Sequence, residues 1–214
     1  MTEHTLGTKY PLTKADSSSK TKERILLNAT TEFAKRGYDA VSMKEIADAS
    51  GIKVASLYNH FTGKEELMDA VLSRVEYLYM LYFKRLDAAR DTVDSFPALV
   101  DSMFVELKNV VDIFTYYAFS LVQTEQFNNE RAGQIYNDVF LEYSINYIKN
   151  RFDESVDNGW AQPFDTKMMA TLLMHSVLIG MNVRVQADFG RHVAYDVTDM
   201  FAELQKYIVD NVRQ

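Results

Sequence analysis

With 214 residues, 47% of them hydrophobic and only three prolines, the chain can be one large or two small domains and has ample apolar side chains for a packed core. It contains no cysteine, which excludes disulfide staples and thiolate metal sites. The net charge of −7 argues against nucleic acid until it is divided: residues 1–75 carry eleven Lys or Arg against ten Asp or Glu, net +1, and residues 76–214 carry twelve against twenty, net −8.

The opening segment, MTEHTLGTKYPLTKADSSSK, lacks the apolar run of a signal peptide, so a cytoplasmic location is expected. The longest charge-free stretch, Met168 to Val183, is sixteen residues and holds His175 and Asn182. A membrane span needs roughly 20 apolar residues, so this stretch reads as a buried helix and no membrane partner is expected.

Glycine and proline are sparse and no period-two alternation is long enough for a strand, so the chain reads as all-α. Residues 1–20, rich in Ser, Thr and Lys, form a flexible arm. A first helix over Thr21–Arg36 puts Ile25, Leu26, Ala29 and Phe33 on one face and ends at Gly37. Ser42 and Glu45 make a capping box for a second helix reaching Ser50. Gly51 turns the chain into a short third helix, about Lys53–His60, and Thr62 with Glu65 offers a second box for a fourth helix running to about Arg90. Ser95 and Pro97 mark the next start, with one or two helices through Phe127. A long helix follows to near Gly159, then a loop at NGWAQPFD, then helices over Asp165–Ala187 and Val197–Val212. In the last, Val197, Met200, Phe201, Leu204 and Ile208 trace one stripe.

A helix-turn-helix needs a small residue where two helices touch, a turn residue tolerant of positive φ and an apolar anchor on the second helix. Ala47, Gly51 and Leu57 meet these needs in order, with Ile46 and Ile52 on the core side. Lys53, Val54, Ser56, Tyr58 and Asn59 are then left on an outward face that fits a major groove. Tyr58, His60 and Lys64 supply donors for phosphates at its rim. A capped three-helix cluster also serves as a plain structural unit, so a helical protein-interaction and dimerisation module is the alternative.

Over RILLNATTEFAKRGYDAVSMKEIADASGIKVASLYNHFTGKEELMDAVL the sequence resembles the DNA-binding region of the TetR family of bacterial transcriptional regulators. The resemblance rests on A..EFA..GY, S..EIA..SGI, SLYNHF and KEEL, about fifty residues in order. It implies a three-helix helix-turn-helix domain at residues 21–66, followed over residues 67–214 by a helical ligand-binding and dimerisation domain. It implies that Ser42 and Met43 approach the DNA backbone, that Lys53, Val54 and Ser56 lie toward bases, and that Tyr58, His60 and Lys64 grip phosphates. Asn59 stands where the family often has an aromatic or a histidine, and can reach a base edge or a phosphate. Ala55 replaces a frequent Gly or Pro and Val54 is less polar than usual, so specificity would owe much to DNA shape.

The resemblance further implies a homodimer on a palindromic operator, released by a small apolar or aromatic effector. The expected interface is a four-helix bundle from about Gln134–Val156 and Asp165–Ala187 of each chain, with Gly180 allowing close approach of the partner helices. Aromatic and methionine side chains of the connector and the following helices are dense: Tyr77, Tyr79, Met80, Tyr82, Phe83, Phe104, Phe114, Tyr116, Tyr117 and Phe119. A cavity among residues 77–180 is expected, with Tyr77, Met80, Phe83, Phe104, Tyr116, Tyr117, Phe119 and His175 as candidate ligand contacts.

Enzyme constellations are missing: the sequence has no Gly-x-Gly, no Gly-x-Ser-x-Gly and no His-Glu-x-x-His. The four histidines, His4, His60, His175 and His192, do not cluster, and Asp188 with His192 is too little for a metal. Neither catalysis nor a cofactor is expected. Asn28 fits a glycosylation pattern by chance.

Overall fold

The computed structural model describes residues 17–110, 113–194 and 196–212, and side chains from residue 20 onward outside 108–114 and 195. The expected arm up to residue 16, with His4, lies outside the described residues, as does the side chain of Phe114. Among the described residues there are helices and no strand, as the sparse glycine and proline predict.

Helix α1 spans Ser17–Arg36, four residues longer than expected at its start. No Gly or Pro interrupts Ser17–Lys20, so each added residue extends an existing helix. Gly37, at φ +84, ends it. Helix α2, Met43–Ala49, begins with the Ser42–Glu45 box intact. Helix α3 is short, Val54–Tyr58.

Helix α4, Lys64–Ala88, is 25 residues long, roughly 38 Å, and runs without a break from the N-terminal trio of helices into the larger half of the chain. Its start corrects one expectation. Gly63 is the N-cap, so the third helical position is Glu66, and it is Glu66 rather than Glu65 that accepts from the Thr62 N–H and hydroxyl, both at 2.7 Å. The remaining helices are α5 (Phe96–Val110), α6 (Ile113–Glu125), α7 (Glu130–Gln134), α8 (Ser144–Asp157), α9 (Thr166–Asp188) and α10 (Val197–Asn211). Between α7 and α8 the long expected helix widens into π-helical turns at Ile135–Tyr143. There the Ser144 hydroxyl donates to Val139 O five residues back, at 2.8 Å. No local sequence signal marks this widening.

One hydrophobic core runs from Ile25 to Val212 through both halves. Helix α1 packs on α2, α4 and α6, so the N-terminal trio is joined to the rest by the connector and by a direct α1–α6 seam. In the larger half α8 lies on α9, and α9 is flanked by α6 and α10.

Helix α9 is not the buried helix expected. Only 39% of its most apolar stretch is buried, although by length and composition it is apolar enough to cross a membrane. Leu173, Met174 and Leu178 face inward, whereas Met168, Leu172 and Ile179 are about half exposed. Gly180 also departs from expectation. A Cβ there would lie 2.7 Å from both Met200 Cε and Phe201 Cζ, so its smallness admits α10 of the same chain and not a partner helix.

Candidate nucleic-acid interface and effector chamber

The first three helices are held by short-range polar ties over an apolar centre. Ile46, Ala47 and Leu57 are fully buried where α2 and α3 meet. Gly51 takes φ +63, and the Ile52 N–H donates to Ala47 O at 3.0 Å to close the turn. Asn28 donates to Ser50 Oγ at 3.3 Å, tying α1 to the end of α2, which gives this residue an internal role. Arg36 reaches from the end of α1 to Ala40 O at 2.9 Å and Glu45 at 2.7 Å. The Ser42 main-chain N–H, its hydroxyl and then Arg36 hold the Glu45 carboxyl down at about 2, and Glu45 in return holds the Arg36 guanidinium above its ordinary range.

This scaffold leaves Ser42, Lys53, Tyr58 and Asn59 exposed, with Tyr58 at 50%. Val54 and Ser56 are half-buried, Val54 packing on the core, and His60 is half-buried beyond the end of α3. Two predicted residues are placed otherwise. The Met43 side chain is 9% exposed and belongs to the core, which leaves its main-chain N–H, in the first turn of α2, as the group able to meet a phosphate. Lys64 is turned back onto the Tyr38 ring at 4.2 Å and donates to Asp39 O at 3.4 Å. Lys44, which sequence reasoning passed over, is exposed beside Ser42 at the start of α2.

In the larger half, α4, α5, α6, α8 and α9 line a small chamber with about 40 Å³ of free space. Phe83, Phe104 and Phe119 of the predicted set line it, together with Tyr79, Tyr82, Met103, Met174 and Met181. Its hydroxyls are engaged by the wall itself. Tyr79 shares a hydrogen bond of 2.9 Å with Ser144, and Tyr82 donates to Met103 O at 3.1 Å. Burial pushes both phenols above their ordinary range, so they remain neutral.

The other predicted contacts fall elsewhere. Tyr116 lines a neighbouring cleft beneath α10. Tyr77 lies against Arg74 at 5.6 Å, and Met80 lines an open groove with Glu76 and Arg131. Tyr117 stacks on Phe189 at 5.6 Å and lies under Lys35, at the α1–α6 seam. His175 is on the exposed face of α9, its Nδ1 2.8 Å from Thr171 O. Helical spacing on α4 separates these sets, since Tyr79, Tyr82 and Phe83 share the inward side while Tyr77 and Met80 do not.

Among known proteins, the repressor KstR2 of Mycolicibacterium smegmatis is 33% identical over 89 residues, which cover 41% of this chain and 43% of that repressor. The biofilm operon regulator IcaR of Staphylococcus aureus is 30% identical over 119 residues, 55% of this chain and 61% of IcaR. Residues 25–71 match the profile of bacterial regulatory proteins of the tetR family. Over those residues the chain is similar to the TetR family.

The chain thus spans less than two thirds of either curated relative, and both relatives are transcriptional regulators. The TetR-family profile ends at Val71, inside α4. Beyond it the likeness is one of fold. The ketosteroid regulator KstR2 of Mycobacterium tuberculosis superposes with a TM-score of 0.67 at 17% identity, covering 95% of this chain and 100% of that one. Salmonella enterica GusR gives 0.60 at 22% identity, covering 91% and 98%. Within this N-terminal head, Arg36 and Asn28 are the positions the motif did not reveal, since their role is to join helices rather than to fit a pattern.

Proposed function

We propose that the chain is a ligand-responsive transcriptional repressor of the cytoplasm. Its homodimer binds a palindromic double-stranded operator and is released by a small, largely apolar effector. The observation that carries this reading is the solvent-facing set Ser42, Lys44, Lys53, Tyr58 and Asn59 on a rigid trio whose other faces are locked into the core. Hydroxyl, amide and ammonium donors so arranged suit phosphates and base edges of a major groove. Residues 21–66 act as the DNA-binding unit and residues 67–214 as the effector and dimer unit.

Pairing is supported by α9, where Met168, Leu172, His175 and Ile179 follow one another at helical spacing on the exposed side. Two copies joined there, with the adjoining face of α8, would set two α3 helices about one DNA turn apart, near 34–36 Å. An effector in the chamber acts on α4 and α6 together, the two elements that hold the head. A coupling of about 1–3 kcal/mol is enough to change operator occupancy several-fold or more.

The test is selection of bound duplexes from a random pool with the purified chain. A two-fold symmetric site is expected, with log affinity falling by about 0.9 per phosphate contact for each unit of log salt. Enrichment of no duplex at low salt would leave the protein-interaction reading instead.

A further inference from the structure

The chamber and the cleft beneath α10 lie back to back and share Phe104, Leu107 and Met181 as a common wall. The chamber offers about 40 Å³ of free space and the cleft about 140 Å³. Of all the described residues lining the two, Arg184 alone is charged. It stands on α9 in the outer cleft, half exposed, its guanidinium 5.7 Å from the centre of the Tyr116 ring. Its ion-pair partner is Asp188, one turn further along at 3.4 Å. An exposed pair at that spacing contributes little and exchanges readily.

An apolar inner space, and an outer space in which Arg184, Thr198 and Gln205 add polar groups to an otherwise apolar lining, describe a molecule with two ends. The inner end carries no charge, because nothing in the chamber wall would compensate it. It also needs more room than 40 Å³, and the wall can give it. Met103, Met174 and Met181 are unbranched thioethers that re-pack at small cost. The outer end meets a guanidinium able to take two oxygens of one acid group.

Building on the ligand-responsive reading above, we propose that the effector is an amphipathic monoanion. Its apolar tail passes Phe104 and Met181 into the chamber, and its terminal carboxylate or similar acid group displaces Asp188 at Arg184.

The experiment is calorimetric titration of the full chain, without DNA, with decanoate, decyl sulfate, 1-decanol and decyltrimethylammonium below their micelle-forming concentrations. Decanoate or decyl sulfate should bind at least about tenfold more tightly than the ammonium, and their order separates a planar from a tetrahedral head. Arg184→Gln should reduce anion affinity by about tenfold or more and leave 1-decanol unchanged. From octanoate to decanoate affinity should rise about fourfold per methylene, the mark of a tail leaving water. Because Arg184 is half exposed, the variant should fold, and an unchanged circular dichroism spectrum and melting temperature will check this.

Equal affinity for anion and ammonium, equal loss of anion and alcohol in Arg184→Gln, or binding of none of the four probes would overturn the proposal. Operator affinity is measured separately. Arg184-dependent binding of decanoate with no change in operator affinity would remove the release mechanism and leave the ligand class standing. Release by a molecule whose binding ignores Arg184 would do the reverse.

Discussion

Between Ser17 and Phe61, three helices of 20, 7 and 5 residues are set by contacts close in sequence: a glycine stop, a reciprocal cap, a positive-φ turn and an anchoring leucine. In the body, from α5 onward, the helices are longer on average and richer in apolar residues, and their arrangement is decided by which faces meet. Tyr79 is 65 residues from the Ser144 it bonds and 95 from Met174. The head is therefore stiff and locally specified. The body has a small void and methionine walls, which suits a part whose packing must change while the other part keeps its shape.

The largest test of that contrast is a pair of leucine truncations. Leu57, fully buried between α2 and α3, has no cavity beside it among those described, whereas Leu173, 4% exposed, already borders the chamber. Buried Leu→Ala changes cost about 2–5 kcal/mol, with the cost rising with the space left behind. Leu57→Ala should fall in the upper part of that range. Leu173→Ala should fall in the lower part, because adaptable methionines can move into the gap. Denaturant unfolding followed by circular dichroism measures both, and the reverse order would show that the body is packed as tightly as the head.

A second pair sets two glycines against each other. At Gly180 a methyl group would meet the ends of the Met200 and Phe201 side chains at 2.7 Å, so these side chains must move. Overpacking of this kind costs about 1–3 kcal/mol. At Gly51 nothing lies within 4 Å, and the penalty comes from φ +63 alone, roughly 1–2 kcal/mol for a residue with a Cβ. The expected outcomes differ in kind as well as in size. Gly180→Ala should alter ligand binding in the cleft beneath α10, while Gly51→Ala should lower stability and operator affinity with ligand binding intact. A Gly180→Ala protein that loses dimerisation but keeps its α9–α10 contact would return this residue to the partner interface.

These differences also explain what was legible in the sequence. Ser42 with Glu45, Gly37, Gly51 and Leu57 announce the head because each acts within a few residues of itself, and the helix starts and ends follow closely. Counting a box from Thr62 points to Glu65, whereas Gly63 caps the helix and makes Glu66 the third residue. In the body the aromatic density was plain, but composition does not say which way a side chain points. Phe83, Phe104 and Phe119 enter the chamber, while Tyr77, Met80, Tyr117 and His175 turn to other surfaces. The π-helical turns at Ile135–Tyr143 bring Phe140 onto Phe119 at 4.2 Å, a stack between distant segments that no local pattern encodes.

A smaller effect belongs to the cap of α2. Replacing an N-cap serine by alanine costs about 1 kcal/mol, so Ser42→Ala should lower the unfolding free energy by roughly that amount. Ser42 also stands on the proposed DNA face, so operator affinity should drop as well. The corresponding change at Thr62 serves as the control, since it supports α4 through Glu66 but precedes the cap itself.

The smallest effect is a matter of pH and isolates the charge in that same box. The Glu45 carboxyl lies at about 2 in the folded chain against an ordinary 4.5, first because the Ser42 main-chain N–H donates to it, then through the Ser42 hydroxyl and Arg36. A carboxylate held below its unfolded value stabilises the fold above that value, and this contribution is lost as pH falls through the folded one. The box should thus be at full strength above about pH 4.5 and weaken progressively toward pH 2. Glu45→Gln keeps the shape and removes the titration, so the stabilities of parent and variant should converge over this window and run parallel above it. Exposure to solvent keeps the difference small, and a carbon-detected NMR titration of Glu45 reads its midpoint directly. A midpoint near 4.5 would mean that Ser42 and Arg36 hold the carboxylate no better than water does, and the head would then owe its stiffness to its apolar centre alone.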